Sequence, residues 1–177
     1  MRKIIIIGLS GAGKTTLARE LSKKLDIPHT ELDSFYHQEN WQPLDRDEFF
    51  NRVQKITDGD KWILCGNYFS TLGLATWQKA DTIVWCDYPF SLVLRRLLKR
   101  TLRRTLTYEE LWNGSRERFF VNFFTRNSVI IWMLQQWRKQ KNRYSTLFHQ
   151  PPKELKNVTL VRLHNPTEAT NFVHTAE

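Results

Sequence analysis

The stretch Lys3-Ile-Ile-Ile-Ile-Gly8-Leu-Ser-Gly-Ala-Gly-Lys14-Thr15-Thr16-Leu17 decides the fold. Its first part, Lys3–Ile7, is β-branched and apolar without alternation, the pattern of a strand covered on both faces. Its middle, Gly8 to Thr15, fits G-x-x-x-x-G-K-[ST] in full. Its last part opens a segment, Lys14–Leu25, with Leu17, Ala18, Leu21 and Leu25 at helical spacing. Strand, glycine-rich loop and helix in this order make a phosphate-binding site. Glycines allow positive φ, so successive backbone N–H groups of Gly8, Ser10, Gly11, Ala12, Gly13, Lys14, Thr15 and Thr16 can turn toward one anion. The helix adds the positive end of its dipole. The Lys14 ammonium reaches the β- and γ-phosphates of a nucleoside triphosphate, and the Thr15 hydroxyl ligates Mg²⁺.

Outward from this point, apolar strands and helices alternate. His29–Leu32, Trp62–Cys65, Thr82–Cys86 and Val158–Leu163 read as strands. Asp45–Ile56 reads as a helix opened by an N-cap carboxylate with Glu48 three residues on. Phe90–Arg104 is a long helix after Pro89, and Thr107-Tyr108-Glu109-Glu110 opens a further helical region running to about Tyr144. Asn165-Pro166-Thr167-Glu168 caps a last helix. Alternation of this kind means a parallel sheet covered on both faces, and right-handed crossovers make a three-layer α/β/α sandwich the economical topology. With 177 residues and neither repeat nor linker, residues 1–177 read as one domain, and 104–127 as its least regular, lid-like part.

Composition narrows the class. Hydrophobic residues at 41% and aromatics at 13% argue against disorder, and no apolar run is long enough to span a bilayer. Arg2-Lys3 before Ile4–Ile7 mimics the start of a secretory signal, but Gly8, Gly11, Gly13 and Lys14 end the apolar stretch too early. Cys65 and Cys86 cannot form a disulfide framework, so the expectation is a cytoplasmic protein with no membrane partner. The net charge of +9 is unevenly spread. Residues 1–94 carry 11 Lys and Arg against 12 Asp and Glu, whereas residues 95–177 carry 16 against 6, a net +10. The excess lies in Arg95, Arg96, Lys99, Arg100, Arg103 and Arg104, and in Arg138, Lys139, Lys141 and Arg143. It implies an anionic partner, either nucleic acid or the phosphates of a small ligand, and charge alone does not choose between them.

Five further signatures carry a family resemblance: Glu31-Leu32-Asp33, Gly66-Asn67-Tyr68, Asp87-Tyr88-Pro89, the arginine-rich helix, and Trp112-Asn113-Gly114-Ser115-Arg116-Glu117. Together with the N-terminal loop, they resemble the small P-loop kinases of the adenylate and shikimate kinase type, and more closely the topology modulation protein family. The resemblance implies a five-stranded parallel sheet of order 2-3-1-4-5, an acceptor over the helix after strand two, and a helical lid after strand four. It implies ATP and Mg²⁺ as partners and a phosphotransferase acting on a small acceptor, a nucleotide or nucleoside among the options. The family label also leaves nucleotide-gated nucleic-acid binding, or an ATP-binding pseudoenzyme, as alternatives. Arg96 and Arg100, four apart, occupy the places of the family's phosphate-binding arginines, and Arg116 is a lid contact. In these proteins the third strand usually ends in an aspartate of the Mg²⁺ shell. Here that place holds Cys65, a poor ligand for a hard cation, so Asp33, Glu31 or Asp87 substitutes or metal use is weak.

Glu31 and Asp33, two apart at a strand's C-terminal end, lie where α/β sheets bind ligands. Asp33 is thus the candidate acceptor-binding residue or base, and Glu31 a metal-side carboxylate. Asn67 and Tyr68 are candidate acceptor contacts, and Asp87 divides between a Mg²⁺-shell role and structural capping.

Overall fold

The computed structural model describes residues 1–39, 42–107 and 129–177, and the backbone alone at 105 and 129–134. Trp41, the opening at Tyr108-Glu109-Glu110, Trp112, Arg116, Glu117 and nearly all of the lid-like segment lie outside the described residues.

Five strands form one parallel sheet: β1 (Lys3–Gly8), β2 (His29–Glu31), β3 (Trp62–Cys65), β4 (Thr82–Cys86) and β5 (Thr159–Leu163), in the order β2-β3-β1-β4-β5. This is the expected 2-3-1-4-5 arrangement. β1 lies at its centre, pairing Ile6 with Cys65 of β3 and with Val84 of β4. Among the described residues the α-helices are α1 (Lys14–Leu25), α2 (Leu32–Tyr36), α3 (Arg46–Thr57), α4 (Phe69–Trp77), α5 (Phe90–Leu106), α6 (Val129–His149) and α7 (Pro166–Thr175).

The period-two geometry of a strand divides β1 between two cores. Ile4 and Ile6 face one side, with Leu17, Ala18 and Leu21 of α1 and Val93 and Leu97 of α5. Ile5 and Ile7 face the other, with Phe49 and Val53 of α3, Trp77 of α4 and Tyr144 of α6. Each fully buried isoleucine contributes roughly 1.5–3 kcal/mol. A strand so anchored from both sides gives the loop that follows it a rigid base.

Local chemistry sets most boundaries. Asp45 caps α3 by accepting from the Asp47 and Glu48 amides, and Asn165 caps α7 by accepting from Glu168 N–H, with Pro166 in the first turn. Two helices escape the sequence pattern. α2 begins at Leu32, so β2 stops at Glu31, and Asp33 sits in a helical first turn rather than on the strand face shared with Glu31. α4 is apolar nearly all round and is broken at Gly73 (φ 65°), which hides the helical period.

Candidate active site

The loop after β1 turns at Gly11 and Gly13, each with φ near +88°. A Cβ on Gly11 would also lie 2.9 Å from the Val93 carbonyl oxygen and 3.3 Å from Leu97 Cβ, so α5 packs directly on the loop. Gly13 precedes α1 and leaves its first amides open, since no side chain caps them. Lys14 Nζ donates to the Leu9 carbonyl at 3.1 Å, which folds the ammonium over the loop's concave side. Two of the amides expected to face an anion are used within the protein: Gly8 N–H donates to Asn67 Oδ1 at 2.9 Å, and the N–H of the fully buried Ala12 donates to the Leu9 carbonyl at 3.1 Å.

A cleft of about 530 Å³ opens at this loop. Ser10, Gly11, Gly13, Lys14, Thr15 and Thr16 line its floor. Arg96, Arg100, Arg103 and Arg104 line it from α5, and Pro166, Ala169 and Thr170 from α7. Glu31 and Cys65 line it from the ends of β2 and β3, and Asp33 from the first turn of α2. Arg100 Nη2 donates to Ser10 Oγ at 2.9 Å, and the Arg96 guanidinium lies 5.8 Å from the centre of the Tyr88 ring. The sheet's C-terminal edge therefore gathers cations, loop amides and the carboxylates of Glu20, Glu31 and Asp33 in one space, as the topology rule for α/β sheets anticipates.

The Thr15 hydroxyl donates to Glu31 Oε2 at 3.2 Å and lies 4.0 Å from Cys65 Sγ. Arg19 reaches the other Glu31 oxygen at 3.3 Å. A Mg²⁺ ion in a loop of this kind takes the threonine hydroxyl, phosphate oxygens and water. Thr15 with an adjacent carboxylate fits that ion, although among the described residues no cluster of three or more His, Cys, Asp or Glu could hold a metal by itself. Burial pushes the Cys65 thiol up to about 11, against the pull of Lys14, so Cys65 stands beside Thr15 as a neutral thiol.

Asp33 Oδ1 accepts from the Tyr68 hydroxyl at 2.6 Å. Tyr68 is packed on Phe49 and Tyr36, with centroids 5.0 and 4.9 Å away, and its phenol is pushed up by burial and by Asp33. Tyr68 does not line the cleft; it fixes the carboxylate that does. The Asn67 carboxamide is turned onto Gly8 at the end of β1, away from the lining. Asp87 requires a correction. Its carboxylate is 6% exposed and accepts from Arg162 Nε at 3.0 Å and Nη2 at 2.6 Å, with Lys141 Nζ 3.7 Å from its other oxygen. The structure puts it outside the cleft, in an ion pair that sequence could not show because Arg162 is 75 residues away. Arg116 lies outside the described residues.

Sequence reasoning missed Arg19 and the α7 wall. Arg19 follows Thr15 by four residues on α1, and helical spacing alone carries that signal. Pro166, Ala169 and Thr170 reach the cleft only because β5 lies beside β4, which no local pattern reveals.

A strand–loop–helix anion site at the C-terminal edge of a 2-3-1-4-5 sheet defines a nucleotide-binding P-loop protein with the fold of the adenylate and shikimate kinase type. Residues 4–113 match the model of the AAA domain family, and the chain belongs to that family. A segment of 34 residues is 50% identical to a shikimate kinase of Enterococcus faecalis, of which the match spans 20% of the length. Among solved structures, shikimate kinase from Acinetobacter baumannii, in complex with shikimate, aligns over 98% of this chain and 89% of its own at 14% identity and a TM-score of 0.62. Shikimate kinase from Bacteroides thetaiotaomicron aligns over 97% and 93%, also at 14% identity, with a TM-score of 0.60. A sugar kinase from Janibacter aligns over 99% and 92% at 16% identity and 0.55. At such identities these likenesses establish the fold.

Proposed function

We propose that this protein is an ATP-dependent phosphotransferase that moves the γ-phosphoryl group to a hydroxyl of a small acceptor. The observation that supports it is the single cleft in which Lys14 and the loop amides, the Thr15–Glu31 pair, Asp33 and four α5 arginines converge. Phosphoryl transfer needs positioning and charge stabilisation rather than a covalent intermediate, and these groups supply both.

Lys14 leaves Leu9 and donates to the β- and γ-phosphates while the loop amides hold the polyphosphate. Arg96 and Arg100 approach the same phosphates from the α5 side and stabilise the charge that builds on the transferred group. Mg²⁺, when bound, neutralises phosphate charge and polarises the reacting phosphorus; Thr15 and Glu31 are the residues that would hold it. Asp33 accepts the hydrogen bond, and then the proton, of the attacking hydroxyl. Tyr68 holds Asp33 in place and keeps one of its oxygens occupied, leaving the other for the acceptor. The relatives named above point to polyol acceptors and the sequence to nucleosides or nucleotides; both offer the hydroxyl that Asp33 needs.

Titration calorimetry with ATP, followed by incubation of the protein with ATP, Mg²⁺ and a panel of shikimate, sugars, sugar acids, nucleosides and nucleotides, tests the proposal. Lys14→Ala should weaken ATP binding by roughly 10- to 100-fold, the loss of a charged hydrogen-bond donor to phosphate. No phosphate gained by any acceptor above the Lys14→Ala background would refute the transferase reading.

A further inference from the structure

β3 ends at Cys65, level with Ile6 and two residues before Gly8, where the phosphate loop begins on its neighbour. The last backbone bond between the two strands' ends runs from Gly66 N–H to the Ile6 carbonyl at 3.1 Å. Two residues on, Gly8 has no β3 peptide left to pair with on that side. The Asn67 carboxamide takes the place of the missing peptide. Its Oδ1 accepts from Gly8 N–H at 2.9 Å, and its Nδ2 donates back to the Gly8 carbonyl at 2.5 Å. A carboxamide is the one side-chain group that presents a peptide's donor and acceptor together, so it extends the ladder by one rung.

The second Nδ2 hydrogen goes elsewhere. It is donated to Gln140 Oε1 at 2.8 Å, on α6, 73 residues away in sequence. The Gly8 peptide sets which way the Asn67 amide faces, and the Gln140 bond takes up the remaining Nδ2 hydrogen and anchors that amide to α6. The neighbourhood shows that α6 docks here and does not merely pass. Trp137 packs on Phe90 with centroids 4.8 Å apart, Lys141 approaches Asp87, and Leu9 of the loop shares a small gap with Gln140 and Trp137.

We propose that Gln140 is a positioning residue for the phosphate loop: through its bond to Asn67 it fixes the Gly8 peptide, and so ties ATP affinity to this one contact from α6. Gln140 touches no nucleotide. It sets the point from which the loop amides fan out, and a loop released at Gly8 must be reordered by the ligand it binds. The inference rests on the reading of the loop as an ATP site, and deepens it.

Three variants separate this from general stabilisation. Gln140→Leu removes the acceptor. Gln140→Glu keeps an oxygen for Asn67 Nδ2. Phe148→Leu loosens α6 at its packing on Trp85, 5.3 Å between centroids, about two helical turns from Gln140, and leaves the Gln140 carboxamide in place. ATP affinity is measured by calorimetry, and the exchange rate of the Gly8 amide by nuclear magnetic resonance. Gln140→Leu should weaken ATP binding roughly 3- to 10-fold, the worth of one hydrogen bond, and speed Gly8 exchange by a similar factor. Gln140→Glu should restore most of both, whereas Phe148→Leu should lower the melting temperature and move neither. Wild-type affinity and exchange in Gln140→Leu, or equal changes in Phe148→Leu, would overturn the proposal. Wild-type protein that takes up no ATP would refute the nucleotide reading instead, and Gly8 exchange in Gln140→Leu would then decide the Gln140 link alone.

Discussion

Replacing Arg162 by Met should separate a structural Asp87 from a metal-binding one. Asp87 is nearly sealed, and the guanidinium that satisfies it is about a third exposed, at 32%. Two unit charges about 4 Å apart at an effective dielectric near 20 attract by about 4 kcal/mol. Solvent at the Arg162 end weakens that figure, and Lys141 at 3.7 Å remains as partial compensation. The expected loss is therefore ~2–3 kcal/mol, below the usual penalty for orphaning a buried charge. Stacking on Trp85, whose ring centre lies 4.5 Å from the guanidinium carbon, goes with it. For a domain of this size the melting temperature should fall by roughly 4–12 °C. The double variant Asp87→Asn/Arg162→Met should regain about 1 kcal/mol or more, since no charge is then left buried. ATP affinity and its Mg²⁺ dependence should stay within about twofold of wild type in all of them, because none of these side chains lines the cleft. Urea titrations and calorimetry read both quantities. An Arg162→Met protein within about 0.5 kcal/mol of wild type, or an Asp87→Asn protein with an altered Mg²⁺ requirement, would refute the structural assignment.

Two further outcomes follow from the thiols. Burial holds Cys65 and Cys86 protonated up to about 11 and about 12, while unfolded thiols ionise near 9.0. The unfolded chain thus binds fewer protons above pH 9, so stability is complete below that pH and falls as pH rises from 9 toward 12. Urea midpoints across pH 8–11 should show this slope, Cys65→Ala should lessen it, and a flat profile would contradict it. Cys65→Asp places a hard carboxylate beside Thr15 and should lower the Mg²⁺ concentration for half-maximal ATP binding several-fold; an unchanged calorimetric Mg²⁺ titration would show that Glu31 already satisfies the ion.

What sequence could reveal here is local, and what it missed is not. The bounds of α1, β3 and β4 follow from runs that speak for themselves, and the loop between β1 and α1 from four residues at fixed spacing, Gly8, Gly13, Lys14 and Thr15. Lys14, Thr15, Arg96 and Arg100 share one cleft because a loop and a helix of known direction flank neighbouring strands. Asn67 and Asp87 are different. Each sits at a strand's C-terminal end with a polar side chain, the very signature of a ligand contact, and each is spent on a partner more than 50 residues away in sequence: Gly8 and Gln140 for the one, Arg162 for the other. A strand-end carboxylate or carboxamide announces a demand for hydrogen bonds, and only the tertiary structure says whether protein or ligand meets it.

The same distinction bears on the basic half of the chain. Arg96, Arg100, Arg103 and Arg104 recur at helical spacing along α5, and all four line the cleft above the phosphate loop. On the same helix Val93 and Leu97 are buried against the sheet, while Leu98, Leu102 and Leu106 form an exposed stripe. A helix laying its cations along a nucleic-acid backbone would present them outward, with salt-dependent attraction as the chief source of affinity. This helix turns four of its six cations toward a space also walled by Glu31 and Asp33, two carboxylates that would repel a nucleic-acid strand but suit a hydroxyl acceptor and a metal ion. The charge excess is thus better matched to a short polyphosphate held end-on by the loop, and Arg95 and Lys99 remain as the solvent-facing part of the cluster.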